Sequence, residues 1–529
     1  SGADSTLTFK AGRHVSLGAS TDILSTSNKL NLLFHADTDK SGDGFIKFSG
    51  PSITTNGGSV QFGVGDTAVL NSATVYVGGD LYFDGSVAQT VSTNAGNFTV
   101  WGETLVANAA GLTLNSGGGN VVFKGVLNSA NQYVGVNSAS ALTWIQANTA
   151  ATGVANSYLA TITSRLENSL AALAGNYTTA WIGGRRQSDG TWRWAAGPEA
   201  GQAFSYTNWA SGEPNNCCAG TTNGLNYGGE NASQFTGTNG NWNDLFDNGA
   251  RGATDLLNNY VRETTINAAP LTINAGAGSV TFEKAVGVGK PLANMAVSGA
   301  QINFNDALRI DSTGATLTPT ATSAITGVVS GTGNLTKGGS GTLTLSGNNT
   351  YSGATQVNAG VLSVTHASGL GASSGATTVA SNAALHLSGG ISVAEPVSIS
   401  GTGIASNGAL RNMSGNNTLT GAVTLLADAE IQAEAGNLTL TPSSGNAVSG
   451  AFNLIAETLG NMTISGPIAT GGGSLTKLGA GTLTLSGANT YTGATSINAG
   501  SLVIENNAPT FSTSGYSGAG SLVVQSSGT

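Results

Sequence analysis

Leu112-Thr-Leu-Asn-Ser-Gly-Gly-Gly-Asn-Val-Val-Phe123 and Leu271-Thr-Ile-Asn-Ala-Gly-Ala-Gly-Ser-Val-Thr-Phe282 carry one phrase twice. Each begins with an apolar/polar alternation, turns on glycine, and closes on a second short run ending in Phe. Alternation of period two is the mark of a half-buried strand, and glycine between two such runs marks a turn. Shorter forms stand at Gly58-Ser-Val-Gln-Phe62, Gly79-Asp-Leu-Tyr-Phe83 and Gly119-Asn-Val-Val-Phe123. Their spacing is about 20 residues or a multiple of it, the period of a solenoid. A single rung cannot bury its apolar face, but stacked rungs share one continuous core. The expected fold is mainly β: a right-handed parallel β-helix over residues 1–130, resumed over 265–529. The phrase flanks residues 131–264, so that stretch is expected to be an insertion projecting from the side of one solenoid.

Composition agrees with many short strands and tight turns. Only 9% of the 529 residues are charged, 39% are hydrophobic, and 79 are glycine. Net charge is −9 and the pI is near 4.9. A nucleic-acid surface needs clustered Lys and Arg, and 18 basic residues spread along the chain do not supply it. No apolar run approaches the ~20 residues of a membrane-spanning helix. No signal peptide opens the chain, which begins in mid-pattern, as if excised from something longer. Asp37-Thr-Asp-Lys-Ser-Gly-Asp-Gly-Phe-Ile46 imitates a calcium-binding EF-hand loop, but counting from Asp39 puts Gly50 where a Glu is required. It is read as a turn between rungs.

The insertion has a different composition. Thr143 with Gln146, and Ser164 with Glu167, have capping-box spacing. Leu166, Leu170 and Leu173 then fall on one helical face. Trp181, Trp192, Trp194, Trp209 and Trp242 are expected to form its core. Three acid/amide clusters follow in about 35 residues: Glu213-Pro-Asn215, Glu230, and Asn243-Asp244. Calcium takes six to eight oxygen ligands from carboxylates, amides, carbonyls and water. Glu213, Asn215, Glu230, Asn243 and Asp244 offer such oxygens, and an incomplete cage leaves positions for a pair of sugar hydroxyls. Because cis peptides are nearly always X-Pro, a cis Glu213–Pro214 bond would turn both flanking side chains to one side. Cys217 and Cys218 are adjacent. Their α-carbons stand ~3.8 Å apart, below the usual disulfide range of ~4.4–6.8 Å, so a strained vicinal disulfide and two free thiols both stay open.

Residues from about Tyr133 to Glu263 resemble a C-type lectin-like domain. The resemblance rests on Tyr158-Leu-Ala-Thr-Ile-Thr-Ser164, Trp181-Ile-Gly-Gly184, Thr191-Trp-Arg-Trp194, Gly197-Pro-Glu199, Phe204-Ser-Tyr-Thr-Asn-Trp209 and Tyr260-Val-Arg-Glu263. It implies that Glu213, Asn215, Glu230, Asn243 and Asp244 hold a sugar-binding Ca2+, and that Glu-Pro-Asn selects mannose-type glycans. The disulfide cysteines of the animal lectins are absent here, and the loop from Asn216 to Glu230 is longer than the family's. Arg185 and Arg186 follow Trp181-Ile-Gly-Gly184 where the family's auxiliary calcium site needs an acid, so that site is expected to be missing.

A second repeat runs from Gly333-Asn-Leu-Thr-Lys337 to Asn358-Ala-Gly360, and again from Gly473-Ser-Leu-Thr-Lys477 to Asn498-Ala-Gly500. With their flanks these cover residues 331–364 and 471–505. They resemble the passenger-associated repeat of autotransporter and two-partner-secretion proteins, and the N-terminal rungs resemble filamentous-haemagglutinin exoproteins. The resemblance implies part of a longer fibrous exoprotein, extracellular on the bacterial surface and secreted across the outer membrane. The expected function is adhesion, with the lectin-like domain gripping glycans on a cell or surface through calcium. The alternative is a protein or other surface ligand, with calcium purely structural. An enzyme is not expected. His14, His35, His366 and His386 are scattered and read as rung surface residues, and the solenoid's densest acids, Asp37, Asp39 and Asp43, sit in a glycine turn.

Overall fold

In the computed structural model the two copies of the phrase are adjacent strands. Leu112 pairs with Leu271 and Asn115 with Asn274, then Val121 with Val280 and Phe123 with Phe282, all in parallel register. The structure describes residues 4–505, 516–517 and 519–524, apart from 40–43, 51, 66, 71–72, 77–78, 85–86, 217–219, 223–224, 228, 238 and 248–255. The chain is mainly β, with 47% strand and 5% helix, and winds as a parallel β-solenoid of about 20 turns.

One turn consists of three short strands. Gln89–Ser92, Phe98–Val100 and Thr104–Ala107 lie in register under Leu112–Asn115, Val121–Phe123 and Leu127–Ser129. The step there is 23 residues, and it shortens to 20 in the repeat at 331–364. Strand residues alternate between buried and half-buried, as period two requires when one face is inside. The buried set includes a file of phenylalanine rings. Phe34 and Phe62 are 5.0 Å apart, Phe123 and Phe282 5.4 Å, and Phe282 and Phe304 4.5 Å. The Phe123–Phe282 contact carries the file across the insertion without a break. At the turns, side-chain amides bond the next rung: Asn97 Oδ1 accepts from Asn120 N, and Asn120 Oδ1 from Ser279 N, each at 2.9 Å.

The chain leaves the solenoid after Leu127–Ser129 and returns at Pro270–Asn274. Strands Gln132–Leu142 and Leu257–Thr264 pair antiparallel, with Gln132 opposite Thr264, so both ends of the excursion leave side by side. Between them lie helix α1 (Trp144–Thr152), helix α2 (Arg165–Ala174) and a mixed sheet of seven strands among the described residues. Thr143 and Gln146 form a full capping box. Ser164 caps α2 through Glu167 N, but the Glu167 carboxylate reaches past it to Thr163 N and Oγ1, both at 2.7 Å. The second expected box is therefore only half formed. Leu166 and Leu170 are buried, whereas Leu173 is exposed at the end of α2. Trp181, Trp194 and Trp242 are fully buried, and Trp192 and Trp209 lie half-buried on the same aromatic cluster.

The excursion packs on the solenoid wall through its own apolar cluster. Phe45, Tyr82, Leu105 and Ala107 of the solenoid meet Leu166 and Leu170 of α2 and Tyr133. The Arg13 guanidinium lies 3.8 Å over the Tyr177 ring, and Arg165 pairs with the buried Asp80. His14 bonds the Tyr177 hydroxyl, and its ring lies tilted 4.3 Å from that of Phe45. It is thus a joint residue and not the rung surface residue expected, and His35 is buried in the rung.

Candidate functional site

Trp242 sets the position of the candidate site. Its ring is buried among Trp194, Phe204, Tyr206 and Trp209, and its indole N–H donates to Asn168 Oδ1 at 2.7 Å. The strand Trp242–Leu245 is thereby held against Ala232–Thr236, with Ser233 opposite Asp244 and Gln234 opposite Asn243. The segment 208–216 runs along its other edge, because Trp242 N donates to Asn208 O and Ala210 N to Trp242 O, both at 2.8 Å. A turn with Gly212 at φ +91° leads into Glu213, and the Glu213–Pro214 peptide is cis.

Asp244 ties this loop down. It is fully buried, and its two carboxylate oxygens accept from Asn215 N at 3.2 Å and Asn216 N at 2.9 Å. Glu213 accepts from Asn215 N at 3.1 Å and Asn215 Nδ2 at 3.0 Å. Partial burial, and then the Asp244 carboxylate lying against it, push the Glu213 carboxyl above its ordinary range. Asn243 Nδ2 donates to Asp244 O at 2.8 Å, so that amide sits beside the strand's carbonyl.

The structure therefore links Glu213, Asn215 and Asp244 directly and places Asn243 next to them. Glu230 is buried just ahead of the strand Ala232–Thr236. Among the described residues no three Asp, Glu, His or Cys side chains form a metal-binding group, so Glu230 does not complete a three-carboxylate cluster with Glu213 and Asp244. One residue was missed by sequence reasoning. Asn216 Oδ1 is buried, finds no donor among the described residues, and lies against Gly229, where any Cβ would collide with it. Gly229 has φ +83°, a conformation that also favours glycine. This contact places an unpaired amide oxygen one residue from Glu230. The only sequence signal was the second Asn of Glu-Pro-Asn-Asn. Cys217 and Cys218 lie outside the described residues. In the EF-hand-like stretch Asp37 is buried, has φ +50°, and donates its N–H to Arg13 O. Residues 40–43 of that stretch also lie outside the described residues.

The passenger-associated-transport-repeat family matches residues 335–364 and 475–504. The chain is 30% identical over 190 residues to Halomucin of Haloquadratum walsbyi. It is 31% identical over 170 residues to Adhesin BmaC autotransporter of Brucella suis biovar 1. Each match takes in 32% of this chain, which spans 2% and 5% of those two proteins. Among solved structures, the cow C-type carbohydrate-recognition domain of CD23, in the presence of GlcNAc2Man3 oligosaccharide, is similar at 27% identity. The match covers 26% of this chain and 88% of that one, with a TM-score of 0.20. The mouse scavenger receptor C-type lectin carbohydrate-recognition domain is similar at 22% identity, over 25% and 90%, with a TM-score of 0.20.

Proposed function

We propose that this chain is a stalk segment of a secreted bacterial surface adhesin, and that its inserted domain holds a calcium ion through which it binds glycans. The passenger-type repeats and the long solenoid support the stalk. The observation that carries the site is the contact of the Glu213 and Asp244 carboxylates beside the unpaired Asn216 oxygen. Two carboxylates side by side repel unless a proton or a cation lies between them. The neighbouring donors are amide and carbonyl oxygens, the ligand type calcium prefers. Glu213, Asn215, Asn243 and Asp244 would hold the ion, with Glu230 and Asn216 on the side of the longer loop. The ion would supply open coordination positions for two vicinal hydroxyls. Around it, amide N–H groups donate to those hydroxyls and carboxylates accept from them. Such a contact buries little area, and many copies on one fibre would raise avidity. No helix of the described residues is long and apolar enough to cross a membrane.

The test is calorimetric calcium titration of the chain and of a Glu213→Ala, Asn243→Ala double variant, followed by a monosaccharide screen with and without chelator. Calcium binding lost in the variant, with mannose-type binding only when calcium is present, is the expected result. Calcium binding with no sugar response would favour a protein ligand and a structural ion. No calcium binding would remove the site.

A further inference from the structure

Three of the chain's 18 basic residues line one pocket on the inserted domain. Arg185, Arg186 and Arg193 share this space of about 630 Å3 with Trp194 and Asn231. Two of the guanidinium groups are engaged. Arg185 pairs with Asp247 and lies 5.5 Å over the Trp144 ring. Arg193 donates to Gly201 O at 2.9 Å and Thr191 Oγ1 at 3.2 Å, with Asp189 at 3.8 Å. Arg186 is different. Its backbone N–H donates to Asn231 O at 2.9 Å, but its side chain has no carboxylate partner among the described residues. Trp194 is 2% exposed and contributes the edge of a buried ring to the wall. The pocket thus has an unneutralised cation in its wall, which calls for an anion from outside.

The position of the pocket gives this meaning. Arg186 ends the strand Thr179–Arg186, which borders Ala232–Thr236, which borders Trp242–Leu245. Two strand spacings, ~10 Å, therefore separate the strand of Arg186 from that of Asp244. Asn231 lines the pocket and directly follows Glu230. A glycan that starts at Glu213 and Asp244 and runs across the sheet toward Asn231 would bring a further ring to this pocket. A guanidinium presents a planar fork that matches a carboxylate or sulfate with two parallel hydrogen bonds.

We propose that Arg186 and its pocket form an anion subsite adjoining the cation site, and that the glycan taken by this domain is acidic, carrying a carboxylate or a sulfate on the ring next to the one at the ion. This rests on the glycan reading above. In a chain of net charge −9, the pocket also gives an acidic glycan a local positive target.

The test compares three disaccharides in calcium: a neutral one, its uronic-acid analogue and its sulfated analogue, against the wild-type chain, Arg186→Gln and Arg186→Lys. The acidic forms should bind about tenfold more tightly than the neutral one, the gain expected of a charge-assisted hydrogen bond. The preference should shrink at high salt. Arg186→Gln should abolish the preference and leave neutral binding and calcium affinity in place. Arg186→Lys should keep a reduced preference, since it retains the charge and loses the fork. A larger gain for the uronic acid than for the sulfate, or the reverse, identifies the anion. Equal affinity for neutral and acidic forms overturns the anion subsite and leaves the glycan reading standing. Binding of none of the three overturns both.

Discussion

Asp244 is the residue on which the candidate site depends most. Its buried carboxylate satisfies two backbone N–H groups of the Glu-Pro-Asn-Asn loop and simultaneously crowds Glu213. Asp244→Ala leaves Asn216 N without its acceptor and Asn215 N with Glu213 alone, which costs about 1–3 kcal/mol, and the expected readout is a lower melting temperature together with lost calcium binding. Glu213→Gln removes the crowding charge and keeps the shape, so it should leave the calcium-free melting temperature equal or raised while still weakening calcium binding. The Glu213 carboxyl titrates above its ordinary range. Protons therefore compete with the ion earlier than at an isolated glutamate, and calcium affinity should fall as pH falls through that raised range. Melting curves with and without calcium from pH 7 to pH 4 would show the stabilisation by calcium shrinking toward zero, and an increment independent of pH would contradict this. Glu213 and Asp244 stood out in the sequence because only 9% of the residues are charged, and Asn215 and Asn243 were picked out by standing beside them. Asn216 was not, because asparagine is an ordinary turn residue, and its role arises from an approach to Gly229 across the loop.

At the scale of the strand and its repeat, Lys337 and Lys477 show what alternation alone does not reveal. Each occupies an inward place in a strand of pattern Leu-Thr-Lys and is fully buried. Lys337 Nζ donates to the carbonyls of Gly338, Gly339 and Ala359 at 2.6–2.9 Å, and Lys477 Nζ to those of Leu478, Gly479 and Ala499 at 2.7–3.0 Å. The last carbonyl in each set lies on the next rung, so each ammonium bolts a glycine turn to its neighbour. The same copies repeat a Tyr–Thr hydroxyl bond, Tyr351 to Thr355 at 2.6 Å and Tyr491 to Thr495 at 2.9 Å. Burial pushes both lysines down to about 8, yet the three carbonyls match the three protons of the charged form. Lys337→Met keeps the length and removes the donors, leaving buried carbonyls unpaired, and should destabilise that repeat by about 1–3 kcal/mol. Hydrogen exchange would then rise at the rungs 335–364 and not at 475–504, since solenoid stability is local to a rung and its neighbours. The repeat was visible in the sequence, but its reason was not, because lysine is by type an outside residue.

At the scale of the whole molecule, the insertion was legible because one rung phrase stands on both sides of it, whereas the joint holding it to the solenoid was not. Its groups come from Asp80, Glu103, Arg165, Glu167, Glu199, Glu263 and Lys290, which no local pattern connects. Glu263 accepts from Asn131 Nδ2 at 2.5 Å, Tyr158 OH at 3.2 Å, and Thr161 N and Oγ1 at 2.8 Å. Burial, then the Glu167 charge, with Glu199 further down, push it up to about 8. Burial, then Asp80 and Glu167, push Glu103 up to about 8 against the opposing pull of Ser164 and Arg165. Burial lowers Lys290 to about 8, against the pull of Glu263, Glu199 and Glu167. The sign follows from proton counting. Between the ordinary glutamate value of 4.5 and about 8, the docked joint holds more protons than the separated or unfolded one. The contribution of these two carboxyls is therefore fully present below 4.5 and is lost as pH rises through 8. Lys290 acts in the opposite sense only above about 8, so it does not mask the lower window. The domain should thus sit most firmly on its stalk in mild acid and loosen toward pH 8, which hydrogen exchange at Leu166, Leu170 and Tyr133 would report. Glu263→Gln, which stays neutral, should flatten that profile, and an unchanged slope would mean that the pH dependence arises elsewhere. Such a joint would let the fibre present its binding site rigidly in one medium and with more freedom in another, while the Phe123–Phe282 contact beneath keeps the stalk continuous in both.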